Sequence, residues 1–429
     1  MKNADLIRAS RDDLLEDAAI IDFLIKDYQK KLKRTAFKFL LRKVFGESEV
    51  FKKNIHDIND EQSLLSCIEK KRDIFTALRE IVGIVGSIVV STHWQSPEVG
   101  SFKGKIKATI NDYTRDQHVL GNAFEEIYRK QLVPIRRTIP VFAYATSSGM
   151  AAMTTAALFI LGETKKESTV LLGKSCYFET KQLIRKMFGD RIKEIDASNI
   201  KEVAETIRQY GPSALFVDTL GNEPNMTVVD VDLMVNVVSK VSTKHMHVVI
   251  DTSARVNTKL LFHSLIMPKN VSIIGVESLN KLLQFGLDRV TAGVVWGTGF
   301  KAMKLYDYRD HAGTNCPDST IATLPTPNNK FVSLYMKRIS RNNAWSGPFL
   351  IVTLKNNTKR NLNNFVSRAL KIAKQRAIPL VFGTSFGLAT TRVYVVAMHT
   401  QYEKSFLRIS AGTETLWEIE RLKKILVYS

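Results

Sequence analysis

From about residue 140 onward the chain alternates short, apolar, β-branched runs with amphipathic stretches, and this rhythm constrains the fold more than any other feature. The runs fall at 141–145, 169–172, 214–217, 247–250, 271–274 and 292–296. Runs this short, apolar on both faces, read as buried strands. Between them, 201–209 and 231–241 carry apolar residues at helical spacing. Parallel neighbours need a crossover long enough for a helix, so the alternation predicts an α/β domain on a largely parallel sheet.

The flanks read differently. Residues 1 to about 95 are expected to be helical, with apolar positions three and four apart at Leu14, Ala18, Ile21, Leu24 and Ile25. Within them, 28–45 mixes Lys30, Lys31, Lys33, Arg34, Lys38, Arg42 and Lys43 with Phe37, Leu40, Leu41 and Val44. Such a basic amphipathic helix can lie on an anionic membrane or dock a partner; the commoner fate of its apolar stripe, and the expectation here, is packing on its own protein. Residues 299–347, with Thr323-Leu-Pro-Thr-Pro and Asn342-Asn-Ala-Trp-Ser-Gly-Pro, look irregular. A final α+β unit should follow, with strands at 349–354, 392–398 and 407–411. The expected organisation is a helical extension over 1–95, a large α/β domain over 96–300, an irregular connection over 301–347 and an α+β domain over 348–429.

The chain has 429 residues and a formal charge of +20, which could mark a nucleic-acid surface. Its Lys and Arg residues are spread along the whole length without an RGG, zinc-finger or RNP-type motif, so nucleic acid is not the expected partner. The longest apolar run, 81–90, falls far short of the roughly 20 residues of a membrane span. The N-terminus opens on alternating charges rather than an apolar core, so no signal peptide is expected. Cys67, Cys176 and Cys316 form no CxxC pair, which argues against a disulfide framework and against zinc. A cytoplasmic protein without a metal is the expectation.

Chemistry is carried by two strand ends. Val248-Val-Ile-Asp251 closes a buried strand with an acid, and Val276-Glu-Ser-Leu-Asn-Lys281 places a lysine just past the next one. Open α/β sheets bind their ligands at such carboxyl ends. Alone, the acid reads as a cap or salt-bridge partner and the lysine as solvated. Together they suit pyridoxal phosphate (PLP), which needs an amine for a Schiff base and an acid opposite its pyridine nitrogen. Tyr144-Ala-Thr-Ser-Ser-Gly-Met-Ala-Ala, running from a strand into a helix near Gly149, offers backbone N–H groups to the phosphate.

These residues resemble the Cys/Met-metabolism PLP enzymes, among them cystathionine γ-synthase, cystathionine γ-lyase and methionine γ-lyase. The similarity runs with gaps from about residue 110 to the C-terminus. Tyr113-Thr-Arg115 resembles a Tyr-x-Arg segment that, in the family, reaches the phosphate of a neighbouring subunit. Ser148-Gly149-Met150-Ala-Ala resembles the phosphate turn, and Tyr177 stands at the ring-stacking tyrosine. Asp218-Thr-Leu-Gly-Asn222 is similar to Glu-Thr-Pro-Ala-Asn, with Glu223 inserted after it; Asn222 then corresponds to the contact with the phenolic oxygen. Asp251-Thr-Ser, Ser278-Leu-Asn280-Lys281, Thr291-Ala-Gly-Val-Val, Ser385-Phe-Gly387 and Arg408-Ile-Ser-Ala-Gly-Thr-Glu414 follow in the family's order.

The resemblance implies the aspartate-aminotransferase fold type I, PLP on Lys281, an amino-acid substrate and a homodimer or homotetramer. It makes Lys281, Tyr177 and Tyr113 the catalytic candidates. Ser148, Gly149, Met150, Tyr177, Asn222, Asp251, Ser278, Asn280, Lys281, Tyr113 and Arg115 would bind cofactor, and Arg408 and Ser385 substrate. The departures cluster at the pocket. Asn280 replaces a phosphate-binding threonine, Phe178-Glu179 replaces Gly-Gly or Gly-Cys, His118-Val-Leu replaces Asn-Pro-Thr, and Thr384 replaces a glutamate found in several relatives. After the lysine, Lys281-Leu-Leu-Gln-Phe-Gly stands where Lys-Tyr-x-x-Gly-His is usual, and the extension before residue 95 exceeds the usual short arm. Glu179 would bear on the substrate side chain. The expected activity is a lyase or γ/β-replacement reaction on an amino acid, often a sulfur-containing one in the family. The alternatives are transamination, decarboxylation or retro-aldol cleavage on the same fold, or a catalytically weak PLP-binding or partner-binding protein.

Overall fold

The computed structural model describes residues 3–32, 38–89, 119–133, 139–254, 268–396 and 405–427. The chain divides into two compact units: one holds Met1–Val90, Lys281–Arg289 and Ala322–Ser429, the other Ser91–Asn280 and Val290–Ile321. Both ends of the chain therefore belong to one unit.

That unit begins with helices α1 (Asn3–Lys31), α2 (Lys38–His56) and α3 (Glu61–Val89), each packed on the other two. The apolar stripe of α1 buries Leu14, Ile21, Leu24, Ile25 and Tyr28, and that of α2 buries Leu41, Val44, Phe51 and Ile55. Of the basic stretch expected as one helix over 28–45, α1 ends at Lys31 and α2 begins at Lys38, with Leu41 and Val44 buried while Phe39 and Phe45 stay exposed. Among the described residues no helix is long and apolar enough to cross a membrane.

The second unit carries α4 (Val119–Leu132), β1 (Val141–Thr146), α5 (Gly149–Glu163), β2 (Val170–Gly173), α6 (Phe178–Phe188) and β3 (Ile192–Ile195). It continues with α7 (Ile200–Tyr210), β4 (Ala214–Asp218), α8 (Val231–Val241), β5 (Met246–Asp251), β6 (Val271–Ser278) and β7 (Gly293–Thr298). The strands form one sheet in the order β1-β7-β6-β5-β4-β2-β3. Only β7 is reversed, antiparallel to both β1 and β6; the other pairings are parallel. Six carboxyl ends therefore lie along one edge. The alanine-rich α5 lies on this sheet, its Ala152, Met153, Ala156, Phe159 and Ile160 packing with Phe216, Val249, Ile274, Val276 and Val295. All six expected strands are present. The seventh, β3, escaped the sequence reading because it is an edge strand whose central Lys193 and Glu194 are exposed.

Returning to the first unit, the chain forms α10 (Asn329–Asn342), β8 (Leu350–Val352), α11 (Lys359–Gln375), β9 (Val381–Phe382), β10 (Arg392–Val396), β11 (Phe406–Ser410) and α12 (Leu416–Val427), after α9 (Leu305–His311) in the second. A four-stranded sheet runs β8-β11-β10-β9. One of its faces presents Val393, Val395, Leu407 and Ile409 to Leu362, Phe365 and Val366 of α11.

The region expected to be irregular contains α10, which is a correction. Asn328 caps it by accepting the Phe331 N–H, and Val332, Tyr335, Arg338, Ile339 and Asn342 form its buried face. The polar members of that face hid its helical period. They are tolerated because α1 supplies their partners: Arg338 pairs with Asp13, Glu16 and Asp17, and Arg341 holds Asp13 in a two-pronged contact at 2.6 and 2.9 Å. Asp13 also accepts the Leu416 N–H at 2.8 Å, and Ser10 Oγ accepts that of Trp417 at 2.9 Å.

Candidate active site

In the second unit, β4 and β5 run in parallel register with Asp218 beside Asp251 at their carboxyl ends. Thr219 donates both its N–H and its hydroxyl to the Asp251 carbonyl, each at 3.1 Å, which fixes the strand end. Asp251 Oδ1 accepts the Ser253 N–H at 2.8 Å, and Ser253 Oγ accepts the Ser278 N–H at 2.8 Å. Ser278 lies against Gly149: a Cβ added there would stand 2.7 Å from the serine Cβ, so position 149 must stay bare. Gly293 is bare for a similar reason, since its Cβ would lie 2.3 Å from the Ser148 carbonyl oxygen. Asp251, Ser278, Ser148 and Gly149 are thereby gathered at one edge of the sheet, where open α/β sheets bind ligands.

Ser148 caps α5, its Oγ accepting the Ala151 N–H at 2.9 Å. The first turn, with Gly149 and Met150, is a helix N-terminus of the kind that binds phosphate. Asn280 accepts the Ala292 N–H through Oδ1 at 2.9 Å, leaving Nδ2 as the donor end that would replace a threonine hydroxyl. This cradle and the acid at Asp251 fit the two ends of PLP.

Tyr177 precedes α6 with its side chain exposed, and its backbone N–H is accepted by Asp218 Oδ2 at 2.8 Å. Burial, and then the neighbouring Asp251 charge, push Asp218 well above the usual carboxylate range, which favours its neutral form. The Cys176 thiol is pushed up by burial and the same acids. Phe178 and Glu179 open α6; Glu179 is exposed, and Arg185 pairs with Glu194. Asn222 follows Gly221 in a tight turn closed by the Gly221 N–H on Thr227 O and by Thr227 Oγ1 on the inserted Glu223 at 2.7 Å.

Lys281, next in the chain after Asn280, belongs to the first unit. Its half-buried Nζ donates to Ser385 Oγ at 3.0 Å and lies 5.0 Å from the Phe386 ring centroid. Ser385 takes a positive φ of 79°, and Gly387, at φ 74°, comes so close that a Cβ would lie 2.6 Å from the Lys281 carbonyl oxygen. Backbone in this region is costly for a non-glycine residue and is maintained by its surroundings. Arg408 sits on β11 between β8 and β10, paired with Ile351 and Tyr394, its guanidinium 5.5 Å from the Phe349 ring centroid and 6.0 Å from that of Tyr394.

Tyr113, Arg115 and His118 lie outside the described residues. Three residues at these sites were not singled out from the sequence: Asp218, Ser253 and Phe386. All three lie inside motifs of the family's pattern, but only the register of β4 and β5, the Ser253–Ser278 contact and the place of the Phe386 ring beside Lys281 reveal what they touch. Among the described residues, no group of three or more His, Cys, Asp and Glu is placed to hold a metal.

The Cys/Met metabolism PLP-dependent enzyme family has a model that matches residues 79–343, more than half of the chain. The bifunctional enzyme flvA of Aspergillus flavus is 22% identical over 301 residues, 63% of this chain and 37% of the relative, so the chain spans little more than a third of that protein's length. Among solved structures, cystathionine gamma-lyase from Lactobacillus plantarum, complexed with L-serine, superposes with a TM-score of 0.60 at 15% identity, covering 80% of this chain and 93% of that one. Cystathionine gamma synthase from Xanthomonas oryzae pv. oryzae, in complex with cystathionine, gives 0.59 at 14% identity over 79% and 92%. At such identities the likeness is one of fold.

Proposed function

The chain belongs to the Cys/Met metabolism family of PLP-dependent enzymes, and on that premise we propose that it is a lyase or γ/β-replacement enzyme acting on an amino acid, with PLP held on Lys281. The observation that carries this reading is the setting of Lys281, an amine hydrogen-bonded to Ser385 and packed beside Phe386 immediately after the strand-end cluster of Ser278 and Asn280. When bound, PLP supplies an electron sink for charge developing at the substrate α-carbon.

The remaining work falls to the chain's own groups. Lys281 would hold the cofactor through its amine and would serve as the base toward the substrate α-proton. Ser148, Gly149, Met150, Ser278 and Asn280 bind the phosphate. Asp251 would keep a proton at the ring nitrogen, Asn222 would contact the phenolic oxygen and Tyr177 would cover the ring. Arg408 clamps the substrate carboxylate as a planar two-pronged donor, with Ser385 lining the same pocket. Tyr113 and Tyr177 are the candidate acids at the leaving group. Tyr113 and Arg115 complete the phosphate site of the neighbouring subunit, which requires a homodimer or homotetramer.

Borohydride reduction of the PLP-loaded protein tests the assignment: the reduced pyridoxyl group should appear on Lys281. A label on another lysine, or no uptake of PLP, rejects it. A panel of amino acids, followed for 2-oxo acid and thiol release together, then separates elimination or replacement from transamination.

A further inference from the structure

Lys281 opens a loop whose next six residues, Leu282 to Leu287, are all buried. Within it the backbone turns through positive φ at Phe285 (51°), Gly286 (80°) and Asp288 (49°). Glycine suits that region; phenylalanine does not, because its Cβ crowds the neighbouring carbonyl, and the conformation persists only where surroundings enforce it. At Gly286 only glycine fits, since a Cβ there would lie 2.7 Å from Ala389 and 3.0 Å from Tyr335 Oη. The loop closes on itself through the Leu287 N–H on Gln284 O and the Arg289 N–H on Gln284 Oε1, both at 2.9 Å.

The Phe285 ring is gripped from two sides. Tyr335 of α10 meets it edge-on at 5.6 Å, and Phe23 of α1 meets it edge-on at 5.8 Å. Phe23 is itself backed by Phe331, stacked at 4.5 Å with the planes 22° apart. Helix α3 reaches the far end of the same loop: Gly83 lies so near the Arg289 side chain that a Cβ there would stand 2.6 Å from its Nη2. Two departures visible in the sequence, a phenylalanine where the resembled tail has glycine and an unusually long helical extension, therefore meet at one contact.

We propose that the N-terminal helical extension is a clamp on the lysine-bearing loop, and that Phe285, held by Phe23, is a positioning residue for Lys281. The inference rests on the reading of Lys281 as the cofactor-bearing lysine. The extension replaces conformational tolerance with packing: a side chain poorly suited to the turn is kept there by an aromatic ring delivered from 262 residues earlier in the chain. This assigns the extension a part in cofactor retention rather than in recruiting a partner.

The test is a double-mutant cycle in the full-length protein with Phe23→Ala, Phe285→Gly and the pair together. Two quantities are read: hydrogen exchange at the Phe285, Leu287 and Arg289 amides, and the PLP dissociation constant from titration of the apo form. Loss of the ring contact in Phe23→Ala should speed exchange at those amides and weaken PLP by about tenfold each. In the Phe285→Gly background, where the turn no longer depends on the ring, the same substitution should change neither, so the two effects are strongly non-additive. If Phe23→Ala unfolds the helices, seen by circular dichroism, Phe23→Leu is read instead and should give a smaller increase of about threefold. Unchanged exchange, or additive effects around the cycle, overturns the clamp. Borohydride labelling away from Lys281 would instead overturn the assignment of the lysine and leave the exchange result to judge the clamp by itself.

Discussion

Asp218 and Asp251 lie side by side at the ends of adjacent parallel strands, one buried and the other partly exposed. Two carboxyl groups so placed do not both ionise readily, and burial, followed by the Asp251 charge, raises the Asp218 pKa and favours its neutral form. Its Oδ2 still orients Tyr177 by accepting the backbone N–H. On the proposed reading the pair separates two tasks, with Asp218 fixing the Tyr177 backbone and Asp251 assigned to the ring nitrogen.

Asp218→Asn should therefore be mild for PLP binding while changing the pH response of stability. A carboxyl whose folded pKa is raised contributes stability below its unfolded pKa and loses it as pH rises through the folded value. Wild type should lose ground to Asp218→Asn from about pH 4 upward. Thermal melts across pH would show the Tm gap widening in favour of the variant; a constant gap would mean that Asp218 is ionised in the fold.

Arg408→Ala should lower kcat/KM by about a hundred- to a few-thousandfold, from the 3–5 kcal/mol typical of a carboxylate left without its cation. PLP content should stay near that of the wild type, because Arg408 belongs to a different part of the chain from the phosphate cradle. Steady-state kinetics with absorbance of the bound cofactor separate the two. A variant that sheds PLP would make Arg408 structural.

Glu414, which accepts the Thr391 N–H, is pushed up to about 7 by burial and by the charge of Glu418. The raised value contributes stability that is complete below about pH 4.5 and lost as pH rises through about 7. The full swing is on the order of 3 kcal/mol. Urea unfolding near both pH limits should show it in wild type, and Glu414→Gln should flatten it.

Glu179 lies exposed in the first turn of α6, two residues after Tyr177. A carboxylate facing the substrate side chain would repel acidic groups and favour donors. Glu179→Gln should then shift the ranking of amino-acid substrates away from basic or donor-bearing ones, with PLP content intact. An unchanged ranking would place selectivity in Phe178, Thr384 or His118, and would leave Glu179 with the small effect of an exposed surface charge.

What the sequence carried well were local patterns. Six strands of the large sheet announce themselves by their apolar runs, and 231–241 is a helix with the bounds its periodicity suggests. Asp251 and Lys281 stand at strand ends as expected. Less legible were elements whose identity depends on distant partners. Helix α10 carries Arg338 on its buried face, and only Asp13, Glu16 and Asp17 make that placement tolerable. Strand β9 is two exposed residues at a sheet edge. The positive φ at Phe285 and Ser385 has no signature in residues that rarely adopt it.

The sharing of one unit between the two chain ends also has a consequence during synthesis. Asp13 waits for the Leu416 N–H and Ser10 for that of Trp417. At about 5–20 residues per second, the ribosome needs on the order of 20–80 s to deliver those partners. Until those residues are made, Asp13 and Ser10 lack these partners, so the final docking of the first helix comes late in the synthesis of this stretch of chain. Such a chain should draw on chaperones that shield apolar faces early, and C-terminal truncation should release its beginning as well as its end.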